Sequence, residues 1–423
     1  MEKLAVNGGE PVRKKPFPTN YLGVSLYGEE EMRELADVIR SKSPFRHYGI
    51  GTPQKVEHFE AKARAYFGRK HALATSSGTG ALFCAVAALG IGPGDEVILP
   101  AFGWYSNFYA ITHVGALPVF ADVDDTLGLD PADFQRKITA KTKAVMVVDF
   151  QGCPAKMDEI MEIAKARGVK VIEDVAQAIG GSYNGKKLAS FGDFGMVSFQ
   201  QNKILCSGEG GLLMTDDDAL FARAVRYQDL GMIRPVFEAE IEDKSLLLPE
   251  AAITGAQFRM SEFQGAVLNA QMDKLEGILA VTRKYHARMR EALKDNPHFK
   301  LRYVEGDCGI TLSMLFPTVA EGAEFQRCLK AEGLPMGAKS ACKNMMSIPP
   351  ISTKRLPNAA MPPFGAGCPG EHIDYIALTK QMKVDDIAGR YVATSIGPQY
   401  TEDDISDIIR AIQKVDENLY GQR

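Results

Sequence analysis

Residues 70–174 constrain the fold of this chain more than any other stretch. Short apolar runs recur there at 71–77, 96–100, 117–122, 144–149 and 169–174. Each is near-continuously hydrophobic rather than alternating, as expected of strands buried on both faces. Between them lie helix-period segments at 79–89, near 104–114 and at 156–167, the last closed by Gly168 as a C-terminal cap. Strand, helix, strand in this rhythm predicts βαβ units and a parallel sheet with helices over both faces, hence an α/β fold.

After Gly192 the rhythm changes. Residues 195–200 and 211–215 read as strands too close together for a helical crossover, so they should be neighbours joined by a glycine-rich turn. Residues 221–230 read as helix, 231–249 as loop, and 260–293 as a long helix broken near Gly277. From Phe299 a smaller α+β pattern follows: strands at 299–304 and 310–316, a helix at 320–332, a Pro/Met/Gly-rich loop at 339–370, and a last helix beginning after Thr401-Glu-Asp-Asp404. These boundaries divide the chain into an N-terminal arm plus large α/β domain (1–250), a connecting helical segment (251–298) and a small C-terminal α+β domain (299–423).

Composition narrows the function classes. With 49 Lys+Arg against 53 Asp+Glu, the net charge of −4 gives no electrostatic footprint for nucleic acid or an anionic membrane. The seven cysteines are widely spaced, without a C-x-x-C or Cys/His cluster, so no metal site and no disulfide framework is expected. The most apolar stretch, 80–92, is too short to span a bilayer and reads as a buried helix. No apolar segment follows the basic residues near the start, so the expectation is a cytoplasmic protein.

Four features carry chemistry. Thr75-Ser-Ser-Gly-Thr-Gly80 follows a strand and opens a helix, where free N–H groups and small hydroxyl residues make a phosphate cradle; an ordinary capped turn reads equally well. Glu173-Asp174-Val-Ala-Gln177 ends a buried strand, where ligands of open α/β sheets bind, although a single Asp there is also an ordinary loop cap. Ser198-Phe-Gln-Gln-Asn-Lys203 runs into Gly208-Glu-Gly-Gly211, and a lysine in apolar, glycine-lined surroundings can serve as a Schiff-base amine. Trp104, the only tryptophan, lies in a strand-end loop where its ring can stack on a flat ligand or simply anchor the loop. Together, a phosphate cradle, a stacking ring, a carboxylate and an amine on successive strand ends are what a phosphorylated pyridine aldehyde requires. Pyridoxal phosphate (PLP) is therefore favoured over a dinucleotide or nucleoside triphosphate, since neither a G-x-G-x-x-G after the first strand nor a G-x-x-x-x-G-K-[ST] is present.

At these motifs, and at Gly92-Pro-Gly-Asp-Glu-Val-Ile, Gly192-Asp-Phe-Gly and Phe258-Arg-Met-Ser-Glu262, the chain resembles the DegT/StrS family of PLP-dependent sugar aminotransferases from about Tyr27 to Val415. The resemblance implies the type I (aspartate aminotransferase-like) fold, with a mainly parallel seven-stranded sheet. It assigns Lys203 as the catalytic Schiff-base lysine and Asp174 as partner of the pyridinium nitrogen. Gln177 would bond the ring hydroxyl, Trp104 would stack on the ring, and Gly78, Thr79 and Ser198 would hold the phosphate. It also implies a homodimer with shared active sites, in which Gln257 stands where relatives place an Asn that reaches the partner's phosphate. Relatives with His in place of the lysine are dehydratases; Lys203 argues for transamination, against that alternative and against a non-catalytic regulator on the same scaffold. The implied reaction is ping-pong transfer from glutamate or glutamine to a keto sugar or keto-cyclitol. The opening Lys3-Leu-Ala-Val-Asn-Gly-Gly-Glu-Pro-Val12 is similar to the branch that aminates scyllo-inosose, and 155–160 to a branch that makes an 8-amino octulosonate. Substrate contacts are expected from 43–52, 232–252 and 339–370, with Lys339, Lys343, Lys354 and Arg355 as candidate cations for a charged substrate.

Overall fold

The computed structural model describes residues 2–336 and 343–421. Its strands are β1 (His71–Thr75), β2 (Glu96–Pro100), β3 (Phe102–Gly103), β4 (Leu117–Ala121), β5 (Thr142–Val148), β6 (Lys170–Asp174) and the small hairpin β7 (Ser182–Tyr183) and β8 (Lys186–Lys187). They continue with β9 (Phe194–Ser198), β10 (Gly211–Thr215), β11 (Lys300–Leu301), β12 (Thr311–Leu315), β13 (Lys343–Asn344) and β14 (Tyr391–Ser395). Seven of them form one sheet in the order β1-β10-β9-β6-β5-β2-β4. Pairings from β9 to β4 are parallel, while β10 runs antiparallel to both β9 and β1. The close spacing of β9 and β10 had required that reversal, and the glycine-rich turn between them makes it.

Every residue of β1, β9 and β10 is buried, because helices cover both faces of the sheet. One face packs Leu82, Val86, Phe108 and Phe120 into a core; the other packs Phe59, Ala178, Phe199 and Leu275. The helices Gly78–Ala88, Ser106–His113 and Met157–Arg167 fall where the periodicity placed them, and Gly168 takes the left-handed conformation (φ 64°) that caps the last. Two further helices, Glu29–Ser41 and Lys55–Phe67, precede the sheet.

The long helix runs without a break from Glu262 to Leu293, opened by a capping box between Ser261 and Gln264. The expected break at Gly277 does not occur. That glycine faces solvent, with nothing within 4 Å of where a Cβ would stand. Leu275, Ile278 and Leu279 on either side of it are buried against the sheet's helices. Their burial outweighs the roughly 1 kcal/mol that a mid-helix glycine costs. Farther along, Tyr285, Met289 and Leu293 join a separate core beneath the antiparallel sheet β11-β12-β14. One helix thus carries both units.

The segment after residue 342 is not a free loop. β13 pairs with β3, and Met345, Met346, Ile351, Phe364 and Tyr375 enter the large core beside Phe108 and Phe120. The Tyr375 ring meets that of Phe120 edge-on at 5.2 Å, and its hydroxyl donates to Pro118 O at 3.2 Å. Part of the C-terminal stretch therefore packs on the large unit, beside the strand end that carries Trp104. Similarly, 231–249 holds a short helix, Pro235–Glu240, and is pinned by Arg226, which donates to the carbonyls of Gly231, Leu246 and Leu248.

Candidate active site

The parallel strands end on one edge, and the chemistry-bearing residues collect there. At the end of β6, successive side chains point to opposite faces. Glu173 turns to one face, where it is fully buried and accepts N–H bonds from Ala189 (2.7 Å) and Phe191 (2.9 Å). Asp174 turns to the other. Its Oδ1 accepts the Ala176 N–H at 3.0 Å, and its Oδ2 accepts Nδ2 of Asn107, also at 3.0 Å. Burial holds the Asp174 carboxyl above the ordinary carboxylate range; those two hydrogen bonds and the positive charge of Lys203 pull it back toward ionisation. Lys203 follows β9, the parallel neighbour of the strand that ends in Asp174.

Lys203 sits in the turn after β9. Its N–H donates to Gln200 O at 2.9 Å, and its carbonyl accepts the Gly23 N–H at 3.3 Å. The turn closes through Gly208 (φ 82°), whose carbonyl accepts the Gln201 N–H at 3.1 Å. Residue 208 needs the left-handed region, which is why a glycine stands there.

The cradle forms where the helix Gly78–Ala88 starts against the end of β9. A Cβ on Gly78 would lie 2.7 Å from Ser198 Cβ and 3.3 Å from its Cα, so only glycine lets these backbones approach so closely. Ser77 caps the helix by accepting the Gly80 N–H at 3.0 Å. The first N–H groups of any helix lack intrahelical acceptors, which here leaves those of Gly78 and Thr79 directed out of the helix start beside Ser198. The Thr79 hydroxyl bonds Ser106 Oγ at 2.8 Å, tying this turn to the next strand-end helix. Small residues, helix N–H groups and a hydroxyl fit a phosphate; a buried strand-end carboxylate fits a protonated ring nitrogen. These donors suit PLP.

Trp104 follows β3 with its indole stacked on Tyr105 at 4.2 Å and 41% exposed. Gln177 Oε1 accepts the Gln151 N–H at 3.3 Å. Gln257 is exposed, its backbone bridged to Asp229, while the neighbouring Phe258 carbonyl accepts the Ser76 N–H at 2.7 Å and the Phe258 ring lies against Gly80. Lys354 donates to Gly370 O at 3.4 Å within its own segment rather than to any site, and Arg355 is exposed. Lys339 and the side chain of Lys343 lie outside the described residues.

Three site residues went unread in the sequence. Asn107 supplies an Asp174 oxygen but looks like any helical polar residue. Gln151 holds Gln177 from a turn on another strand. Asp149, at the end of β5, is wholly buried; one oxygen accepts the Ala155 N–H at 2.8 Å and the other has no partner. Burial and the nearby carboxylates of Glu173 and Asp174 push its carboxyl well above the usual range. Its position after an apolar run was the available signal.

A mainly parallel sheet with a lysine, a carboxylate and a helix N-terminus gathered at its strand ends defines a type I PLP-dependent transferase. Comparison with known proteins bears this out. Residues 26–338 match the DegT/DnrJ/EryC1/StrS aminotransferase family. An L-glutamine:2-deoxy-scyllo-inosose aminotransferase of Micromonospora echinospora is 31% identical, with 98% of each chain covered. The GDP-perosamine synthase of Caulobacter vibrioides is 39% identical over 53% of this chain and 58% of its own. The crystal structure of 3-amino-5-hydroxybenzoic acid synthase superposes with a TM-score of 0.78 at 25% identity, covering 96% of this chain and all of that one. The chain belongs to the DegT/DnrJ/EryC1/StrS aminotransferase family, and it is a PLP-dependent aminotransferase of sugar or cyclitol metabolism. No helix among the described residues is long and apolar enough to cross a membrane.

Proposed function

We propose that this enzyme transfers an amino group from L-glutamine, or glutamate, to a keto-cyclitol of the scyllo-inosose type, with a free or nucleotide-linked keto sugar as the second substrate class. The observation that carries the transfer chemistry is that Lys203 follows β9, the parallel neighbour of β6, which ends in the buried Asp174. The cyclitol preference rests on the full-length likeness to the 2-deoxy-scyllo-inosose enzyme, and the second class on the partial likeness to GDP-perosamine synthase.

PLP, when bound, supplies an electron-withdrawing ring conjugated to the carbon that exchanges its amino group. Lys203 would be the amine that holds the aldehyde, and its Nζ would move the proton at the reacting carbon of donor and acceptor in turn, as a ping-pong cycle requires. Asp174 would hold the ring nitrogen protonated, and Asn107 and the Ala176 N–H, by donating to its carboxylate, oppose burial and favour the ionised form. Gln177 donates to the ring hydroxyl oxygen, Trp104 covers a ring face, and Gly78, Thr79 and Ser198 hold the phosphate. Gln257 reaches the phosphate of a partner subunit in a homodimer. The large unit to about residue 250, the connecting helix and the remainder, part of which packs back on the large unit, form the functional division of the chain.

The reading is tested with PLP-loaded wild type and Lys203→Ala. Wild type should be yellow, lose that colour with L-glutamine, and carry a borohydride-fixed cofactor mass on the peptide containing Lys203. The Lys203→Ala protein should transfer no amine to 2-deoxy-scyllo-inosose, scyllo-inosose or nucleotide-linked keto sugars. A colourless wild type with an unmodified Lys203 peptide refutes the proposal.

A further inference from the structure

Side chains from the small antiparallel sheet meet the large unit at one polar seam. Arg302, just after β11, donates from Nη1 to Thr126 O (3.0 Å) and Phe150 O (3.1 Å). Its guanidinium lies 5.5 Å from the ring centroid of Tyr391 on β14. The buried Tyr391 hydroxyl lies 3.1 Å from Ser313 Oγ on β12 and donates to Oε1 of Gln151. With the tyrosine proton committed to Gln151, Ser313 is the donor in its own bond to that hydroxyl. Gln151 occupies the turn after β5 at φ 50°, ψ 46°, a conformation that residues with side chains rarely adopt. In that conformation its N–H is presented to Gln177 Oε1. The hydrogen bonds run in one direction: Ser313 to Tyr391, Tyr391 to Gln151, Gln151 to Gln177.

This ordering fixes more than a position. An amide side chain can sit either way round, and which atom meets which partner is decided by its neighbours. A backbone N–H can only donate, so Gln177 must offer it the carbonyl, and its Nε2 becomes the end that can donate elsewhere. We propose that Gln151 and Tyr391 are positioning residues. By gripping the left-handed turn, the small sheet sets the orientation in which Gln177 presents its amide donor to the cofactor ring oxygen. The proposal rests on the reading that Gln177 serves that oxygen. It adds that the contact depends on Tyr391, a residue of the other unit.

Tyr391→Phe and Gln151→Gly cut the seam from opposite ends, and both keep the residue 151 N–H. Glycine also suits the positive φ, so the second variant folds even if the first does not. A donor on the ring oxygen draws charge from the adjoining Lys203 nitrogen and lowers the pH at which the visible absorbance of the PLP-loaded protein changes. Each variant should raise that pH midpoint by roughly half a unit or more and weaken PLP binding to the apo-protein by about threefold. The double variant should go no further than either single one, since both remove one contact. A wild-type midpoint in both variants, with only the thermal stability reduced, would make the seam structural and overturn the proposal. A shift in Gln151→Gly but not in a folded Tyr391→Phe would overturn the role of the small sheet. A colourless wild type instead refutes the functional reading, and the positioning proposal with it.

Discussion

Replacing Asn107 with leucine separates two effects that the structure superimposes. The Asn107 side chain is 1% exposed; its Nδ2 donates to Asp174, and its Oδ1 has no partner. Leucine is close in volume, so the cavity term is small. It removes an orphaned carbonyl that costs about 1–3 kcal/mol, and also a hydrogen bond to an ionised acceptor that contributes about 1.5–3 kcal/mol. The second contribution exists only while Asp174 is charged. Losing it raises the Asp174 pKa by roughly one to two units, at 1.36 kcal/mol per unit. Asp174 is already held above its ordinary 3.8 by burial. A raised folded-state pKa means that the native chain binds the proton more tightly than the unfolded one. This group therefore favours the fold at low pH and lowers stability as pH climbs from the unfolded value through the folded one. The variant widens that window upward. Urea unfolding of the apo-protein should show Asn107→Leu at or above wild-type stability near pH 4.5. By pH 8 it should have lost about 1.5–3 kcal/mol relative to that starting point. In the loaded enzyme the acidic limb of the L-glutamine half-reaction should move up by the same one to two units. A stability difference that is constant between pH 4.5 and 8 would refute the claim that Asn107 acts on the charge of Asp174.

Asp149→Asn should remove a destabilising titration. The asparagine protein should match wild type in acid and become the more stable of the two as pH rises, by about 1.4 kcal/mol per unit of raised pKa, as read from denaturant midpoints at pH 5 and 8. Gly78→Ala places a methyl 2.7 Å from Ser198 Cβ. It should cost about 1–3 kcal/mol in cofactor binding, roughly fivefold or more in Kd, with unchanged circular dichroism, measured by titrating apo-protein with PLP. Lys203→Ala should keep a bound but unanchored cofactor, released on dialysis from the variant and retained by wild type.

The strands of the large sheet were legible because burial on both faces demands continuous apolar runs, and β1, β2, β4 and β6 lie within a residue or two of their expected bounds. β14 was missed: its Tyr391-Val-Ala-Thr-Ser395 is short, and its burial depends on pairing with β12, which no local pattern announces. The break expected at Gly277 failed because propensity is local, whereas the buried neighbours of that glycine are held from outside the helix. The 339–370 stretch read as loop because no period runs through it. Among the described residues its order comes from Met345 and Phe364, with Tyr375 just beyond, reaching a core built from residues more than two hundred positions earlier.

For the candidate site, residue type and strand-end position singled out Lys203, Asp174 and the 75–80 turn, and the family resemblance added roles for Gly78, Thr79 and Ser198, since a helix-opening turn and a buried carboxylate each leave a mark in the local text. What tunes them left none. Asn107 on Asp174, Gln151 on Gln177 and Tyr391 on Gln151 are contacts between segments separated by 67, 26 and 240 positions. A chain's own sequence determines which strand ends can carry chemistry, because alternation and burial are local constraints. Which second side chain orients each of those groups is decided only when the sheet brings distant strand ends to one edge. Hydrogen bonds act over about 3 Å, and nothing short of tertiary structure brings those groups so close.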